Sequence, residues 1–416
     1  MILKEIFYKL IFNFYKNNFI ILQNPKVDDN SIYYKLDISE NLDEFFSQKT
    51  SFIEYMDMNN SLNEVPKGIL IIPFLCNILP VSWMFDSIII VEELDKTFYN
   101  SINKIKENYA KLYPDASFKG KLIVKNLVDY EISDEGKDKY LSFFSLGVDS
   151  MSTVINHIEK KPVLAFIWGS DIPLKEEIGW NQLKKKITEF SKEFGFEKIF
   201  IKSDFRELLS TGKLSKKFEN QLHDNWWHGI QHGMSIISHS IPYSYLYQIN
   251  NIFIASSYSL SECKEEGVEE IPCGSSPSVD NEFKFSKNGN VYHDGIENSR
   301  QEKIKIITDF FNEYEKKDFL HVCWQTINGK NCNICEKCSR TIIGIISEKA
   351  DPNLFGFQVN NDTFNNIKEN INEFAMNKTT NILWRDIQNV FLKDYEYWIN
   401  DKRINWFLDL NLELKD

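Results

Sequence analysis

Ser145, Gly147, Asp149 and Ser150 stand in one short turn, between an apolar run that opens at Tyr140 and a helical pattern that opens at Met151. A strand that ends in a Ser/Gly turn and leads into a helix aims several backbone N–H groups at one point. The positive end of the helix dipole adds to them, and the result is an anion cradle. The hydroxyls of Ser145 and Ser150 are further donors, and Gly147 lets the backbone come close to an oxygen. Asp149 is the unusual member. A carboxylate beside a phosphate repels it unless a divalent cation sits between them, so the turn reads as a Mg²⁺–pyrophosphate site. The same residues also suit an ordinary strand–turn–helix junction.

Cys323, Cys332, Cys335 and Cys338 form a C-x8-C-x2-C-x2-C array. Thiolates three residues apart in a tight turn can converge on one ion, and four of them match tetrahedral zinc. With four sulfurs such a site is closed, hence structural. An iron–sulfur cluster and a set of buried free thiols are the other readings of this spacing. His228 and His232 are four apart on one helix face and could hold a metal or line a pocket, although no Glu stands where a hydrolytic zinc motif needs one. His293 and Asp294 could form an acid–base pair, or simply end in the turn at Gly295. Cys263 and Cys273 could work as a sulfur-carrying pair, but no thiolate-activating cation is adjacent to either in sequence.

With 416 residues and 43% hydrophobic composition the chain can bury a sizeable core, as two domains or as one large one. Acidic residues outnumber basic ones 60 to 48, a net charge of −12, so a nucleic-acid partner is disfavoured. The seven cysteines, an odd number with four clustered, suit metal ligation in a reducing compartment. Lys4, Glu5, Lys9 and Lys16 interrupt the apolar N-terminus, and the apolar window 68–91 holds Pro73, Asn77, Pro80 and Asp86. Neither suits a signal peptide or a spanning helix. A cytoplasmic protein without a membrane partner is expected, and window 68–91 reads as two buried strands around a turn.

The elements that must position these residues follow the hydrophobic pattern. Residues 1–135 alternate short strand-like runs (31–36, 69–72, 87–91, 121–124) with one amphipathic helix at 94–112, an α+β unit. A charged stretch, 133–139, marks a boundary. From Tyr140 strands and helices alternate: strand 162–168, helix 175–194, strand 198–202, helix 226–239, strand 251–256. That order predicts an α/β fold with a doubly wound parallel sheet and ligands beyond the carboxyl ends of its strands. A helix and strand are expected over 302–321 and a helix over 336–347. Residues 361–416, with Phe374, Trp384, Phe391, Trp398 and Trp406, read as a helical cap.

The turn at 145–150 resembles the Ser-Gly-Gly-x-Asp-Ser loop of the PP-loop ATP pyrophosphatases, with Leu146 where the family carries its first Gly. Together with the cysteine array, the arrangement is similar to 7-cyano-7-deazaguanine synthase over residues 140–348. The resemblance implies a HUP-type PP-loop domain with a zinc knuckle at 323–338, and ATP, Mg²⁺ and Zn²⁺ as cofactors. It maps nucleotide contacts onto Ser145, Leu146, Gly147, Val148, Asp149, Ser150, Gly169 and Asp171. Catalysis falls to Asp149, Ser150 and Lys303, with His293 as the acid–base candidate. Residues 169–174, 227–233, 254–258, 274–277 and 293–295 look closer to longer relatives of the synthase, in which a Trp usually stands at the position of Cys273. Those relatives accompany natural-product, peptide-modification or antiviral gene sets. The implied activity is an ATP-dependent ligase or amidotransferase-like enzyme that releases AMP and pyrophosphate. It would adenylate a carboxylate or amide oxygen of a small-molecule, peptide or protein acceptor, and a nitrogen nucleophile would displace AMP. A sulfurtransferase on the same scaffold and a non-catalytic nucleotide-binding module are the alternatives; a homodimer is left open.

Overall fold

The computed structural model describes residues 18–133, 139–315 and 317–413. The N-terminal stretch with Lys4, Glu5, Lys9 and Lys16, and most of the charged boundary at 133–139, lie outside the described residues. Among the described residues, twelve strands make one sheet. The first six are β1 (Phe19–Leu22), β2 (Lys26–Asp28), β3 (Ser31–Ile38), β4 (Thr50–Met56), β5 (Ile88–Asp95) and β6 (Lys121–Val128). The rest are β7 (Tyr140–Phe143), β8 (Val163–Trp168), β9 (Lys198–Ser203), β10 (Asn251–Ala255), β11 (Lys284–Phe285) and β12 (Gly289–Asp294). Their order in space is β11-β12-β10-β7-β8-β9-β4-β3-β1-β5-β6, with β2 beside β3.

The middle of this sheet is parallel: β9, β8, β7, β10 and β12 all run the same way. Counted along the chain they stand in the order 3-2-1-4-5. The direction of winding reverses between β7 and β10, and the loops that leave these two strands must part there, opening a crevice at their carboxyl ends. All six residues of β8 are buried, as a central parallel strand requires. On the far side of β9 the sheet continues without a break. β4 pairs antiparallel to it, Tyr55 opposite Ile201, and carries the sheet into the N-terminal strands.

The longer helices are α1 (Ile72–Met84), α2 (Lys96–Leu112), α3 (Val148–Asn156), α4 (Glu177–Phe194), α5 (Thr211–Leu222) and α6 (His232–His239). They continue with α7 (Arg300–Phe311), α8 (Glu336–Ser347), α9 (Asn361–Ala375) and α10 (Lys378–Lys393). α4 shows how sequence writes such an element: Trp180, Leu183, Ile187, Phe190 and Phe194 recur at helical spacing and are buried, and Gly195 ends it with φ of 67°. Trp180 stacks on Trp168 of β8, ring centroids 4.9 Å apart, so helix and sheet meet through large apolar surfaces. α10 packs its buried Trp384 against α8, and the indole N–H donates to Glu336 Oε1 at 3.1 Å.

Several expectations are corrected. Residues 69–72 are helical, and the window 68–91 holds the buried helix α1 and then the start of β5, not two strands. An apolar run buried on every side carries no period that separates helix from strand. Pro73 sits in the first turn, where a missing N–H costs nothing. The helix expected at 94–112 begins at Lys96 because Asp95 caps it, accepting from Phe98 N at 2.8 Å. The helix expected from Trp226 opens as a π-helical turn, Trp227–Gln231. Over 302–321 the helix α7 is present, but no strand follows it among the described residues. No helix among the described residues is long and apolar enough to cross a membrane.

Candidate functional site

The chain leaves β7 at Phe143 and enters α3 at Val148, and the turn between them lies at the reversal of strand order. Leu146 makes the turn by adopting φ of 65°, the left-handed region that favours glycine, and its side chain is fully buried in the core. Its carbonyl accepts from His321 N at 2.9 Å. Gly147 is the N-cap of α3, so the first N–H groups of that helix, which have no partner within it, face outward beside the turn. The two hydroxyls close on each other: Ser145 Oγ and Ser150 Oγ are 3.3 Å apart, and Ser145 N donates to Ser150 Oγ at 3.2 Å.

Three cations converge on this turn. Arg300 Nη2 lies 2.8 Å from Asp149 Oδ2, and Lys303 Nζ lies 3.3 Å from Asp149 Oδ1. Both come from the first turn of α7, which the capping box of Ser299 and Glu302 fixes. The Lys303 ammonium is almost wholly buried and also donates to the Ser256 carbonyl, at 2.7 Å, at the carboxyl end of β10. Lys337, from the first turn of α8, is the third. Burial works to raise the Asp149 carboxyl pKa, but Arg300, Lys303 and Lys337 outweigh it and hold it below the usual carboxylate range. Burial pushes the Lys337 ammonium down, with Arg300 adding to the effect. One carboxylate against three cations leaves the turn with excess positive charge.

A cavity of about 450 Å³ opens here, and Ser145, Gly147, Val148, Asp149, Ser150 and Asp171 all line it. Gly169 is not on its wall. It turns the chain out of β8 with φ of 105°, and a side chain there would run into the Ser203 carbonyl. Leu146 points into the core instead, and Lys303 stands behind Asp149. His293 is elsewhere: it is buried on β12, and its Nδ1 is 2.8 Å from Asp280 Oδ2. Its expected partner Asp294 bonds His157 Nε2 at 2.7 Å, because neighbours on a strand point to opposite faces. The proposed pairing of His293 with Asp294 is therefore not made.

Other cavity residues had little signal in the sequence. Arg300 stands beside Lys303 in a helix-opening segment, and only its place at the first helical position hinted at a role. Lys337 hid between two cysteines. The Arg206 guanidinium carbon lies over the Trp227 ring, 3.5 Å from its centroid, and Arg206, Trp227 and Asp171 all line the cavity. Two buried nitrogens at the cavity, Arg300 Nε and His321 Nε2, have no hydrogen-bond partner.

The four knuckle cysteines come together as their spacing predicts, with donor atoms all within 4.8 Å of one another. Cys332 Sγ is 3.8 Å from Cys338 Sγ, and Cys323 Sγ is 4.0 Å from Cys335 Sγ. A tetrahedron of sulfurs ~2.3 Å from zinc has edges of ~3.8 Å, whereas a disulfide would bring two sulfurs to ~2.05 Å. The cluster therefore fits one zinc ion. Asn331 locks its approach: its Oδ1 accepts from Val322 N at 2.9 Å, and its Nδ2 donates to the carbonyls of Leu320 and Gly356, each at 3.0 Å. Cys335 is the N-cap of α8, so the knuckle also sets where Lys337 stands.

Cys263 and Cys273 are not a pair. Cys263 sits in the short helix Leu260–Glu265 with its thiol pushed up by burial, and no sulfur contact joins it to Cys273. Cys273 instead lies between two imidazoles, 3.7 Å from His228 Nε2 and 3.8 Å from His232 Nε2. Sequence distance concealed this, since the two elements are more than 40 residues apart. Comparison with protein-family models, with characterised proteins and with solved structures finds no match to this chain.

Proposed function

We propose that the chain is an ATP-dependent enzyme of the PP-loop type that cleaves ATP to AMP and pyrophosphate while activating an acceptor oxygen. The observation that carries this reading is the meeting of Arg300, Lys303 and Lys337 with the turn 145–150 where the strand order reverses. A polyphosphate would find there the N–H groups of α3, the hydroxyls of Ser145 and Ser150, and excess positive charge. The unpartnered Arg300 Nε supplies an N–H that a bound anion would satisfy. The cavity has room for the nucleoside between the turn and Asp171, beyond the end of β8.

Asp149 is the one carboxylate that fits a Mg²⁺ role at the turn, and a magnesium ion held there with phosphate oxygens would neutralise charge on the leaving group. The chain's own groups act in the same direction. When an acceptor carboxylate attacks the α-phosphorus, the bond to the bridging oxygen breaks and pyrophosphate departs with its electrons. Arg300, Lys303 and Lys337 stabilise that charge as it develops, and Arg300 and Lys303, fixed by their contacts with Asp149, need no reorganisation. A nitrogen nucleophile then displaces AMP from the mixed anhydride. Zinc in the knuckle would hold α8 and Lys337 in place and take no part in the reaction.

Sulfur transfer on this scaffold is less well supported, because it needs a second thiol and Cys263 makes no contact with Cys273. A non-catalytic module is also less well supported: Leu146 departs from glycine in type, but its φ is left-handed all the same. Product analysis tests the proposal. Incubation with ATP, Mg²⁺ and a mixture of carboxylate acceptors should yield AMP and pyrophosphate; ADP and phosphate would refute it.

A further inference from the structure

The strongest cluster of reactive side chains outside the turn is built around Cys273. Asp224 bonds His228 Nδ1, and the other nitrogen of that ring faces the Cys273 sulfur at 3.7 Å. His232 Nδ1 lies 3.2 Å from the Trp227 carbonyl, which can only accept, so its Nε2 also presents a lone pair to the sulfur, at 3.8 Å. Two imidazoles are thus set to take the thiol proton, and one is backed by a carboxylate that steadies the imidazolium. This is the nucleophile, base and orienting acid of a covalent catalyst. The π-helical turn Trp227–Gln231 brings His228 and His232 onto the same side of the sulfur's loop.

A metal centre is the competing use of two imidazoles and a thiolate, and the geometry disfavours it. The two rings are nearly parallel, 11° apart in plane with centroids 5.5 Å apart, and although each Nε2 faces the sulfur, the three donor atoms do not all lie within 4.8 Å of one another. The knuckle cysteines are the one group of three or more ligating side chains, among the described residues, whose donor atoms lie within 4.8 Å of one another.

We propose that Cys273 is a nucleophilic thiolate at the back of the nucleotide cavity, and that it accepts an acyl group as a thioester. Cys273 itself is 1% exposed and is not on the cavity wall: His232 and Ser275 line the cavity and His228 keeps 37% of its side chain exposed, so the sulfur lies one ring from the cavity and one ring from solvent, and a reagent reaches it only when one of those rings turns aside. Burial would raise the Cys273 thiol, but His232 and His228 outweigh it and bring it down to about 6. The other titratable groups around it are Tyr109 of α2, Tyr113 at the C-cap of that helix, Tyr258, and Asp280 beyond His232. The thiol proton passes to an imidazole before reaction. In place of direct displacement of AMP by nitrogen, Sγ attacks the acyl carbon of the mixed anhydride, a C–S bond forms, the C–O bond to AMP breaks, and AMP leaves with the electron pair. An amine next attacks the thioester, the C–N bond forms, the C–S bond breaks, and the thiolate is restored; the proton shed by the amine leaves through His232. This step rests on the adenylation reading for its natural acyl donor, but the thiolate itself does not.

The test uses the full chain and keeps the two claims apart. Acetyl adenylate, a preformed mixed anhydride, is supplied without ATP, and the cysteine peptides are analysed by mass spectrometry. The expected result is one hydroxylamine-labile acetyl group on Cys273, absent in Cys273→Ser. In parallel, iodoacetamide should label Cys273 with a rate half-maximal near pH 6. Asp224→Asn should move that midpoint up by about one unit or more, toward the ~8.5 of an ordinary thiol. A Cys273 that takes no acetyl group, or one that alkylates as an ordinary thiol in both proteins, overturns the inference. So does a second zinc per chain that is lost in His232→Ala. Failure of the adenylation reading would appear instead as absent ATP–pyrophosphate exchange with acetyl transfer intact.

Discussion

Arg300 Nη2 lies 2.8 Å from Asp149 Oδ2, and this contact joins the start of α7 to the start of α3. Both helices direct their N-terminal ends, and hence positive dipole ends, toward one point, and the carboxylate keeps the two cations that face it in place. On the proposed reading, removing Arg300 would take away one charge-assisted contact to a bound phosphate. Arg300→Ala should weaken ATP binding by about 10-fold or more, on the scale of one hydrogen bond to a charged group. Calorimetric titration with ATP checks this, and unchanged affinity would detach Arg300 from the site.

The knuckle should hold about one zinc per chain through Cys323, Cys332, Cys335 and Cys338. Metal analysis of freshly purified protein measures it; iron with sulfide, or no metal in a folded protein, would be the contrary result. Cys335→Ser should lower solubility and melting temperature more than ATP affinity per folded molecule, since a closed site contributes folding energy.

Leu146 tests how the turn is maintained. A left-handed backbone costs a branched residue ~1–2 kcal/mol, which glycine would recover. Losing a fully buried leucine side chain costs more, ~2.7–5 kcal/mol by analogy with Leu→Ala in other cores. Leu146→Gly should therefore destabilise the protein by about 2–3 kcal/mol in denaturant titration, with ATP affinity little changed. A stabilised variant would mean that the backbone strain outweighs the packing.

Acid sensitivity follows from His239. Its ring is wholly buried, with Nε2 3.0 Å from Ser203 Oγ and Nδ1 2.5 Å from the Ser235 carbonyl, and burial lowers its pKa to about 4. The unfolded chain would bind this proton near pH 6.5, so unfolding takes up a proton between those values and stability falls as pH drops from 6.5 toward 4. At 1.36 kcal/mol per unit the loss is on the order of 3 kcal/mol. Unfolding midpoints of the parent and His239→Gln, measured at pH 7 and pH 4.5, should differ in pH dependence, with the variant losing less; equal slopes would assign the acid limb to other groups.

Much of the site was legible because its chemistry is local. The turn 145–150 and the cysteine array declare themselves by residue type at short spacing, and the alternation after Tyr140 announces a parallel sheet. What failed was non-local. Window 68–91 is apolar on every side and gives no period to read, so α1 passed for strands. His293 and Asp294 are adjacent in sequence and opposite in space. Arg300, Lys337 and the partners of Cys273 reach the cavity from separate elements, and only the packing of α7, α8 and the Trp227–Gln231 turn brings them there.

The most direct measurement follows ATP labelled at the α-phosphorus, in the parent and in Asp149→Asn, at saturating Mg²⁺ with a carboxylate acceptor mixture. The Asn variant keeps the shape and removes the charge that holds Arg300 and Lys303. The parent should release labelled AMP, and the variant should do so ~10²-fold more slowly, as expected for loss of one preorganised electrostatic element. Labelled ADP from the parent, or AMP release from Asp149→Asn at the parent's rate, would contradict the assignment of the turn 145–150 as the site where ATP is cleaved.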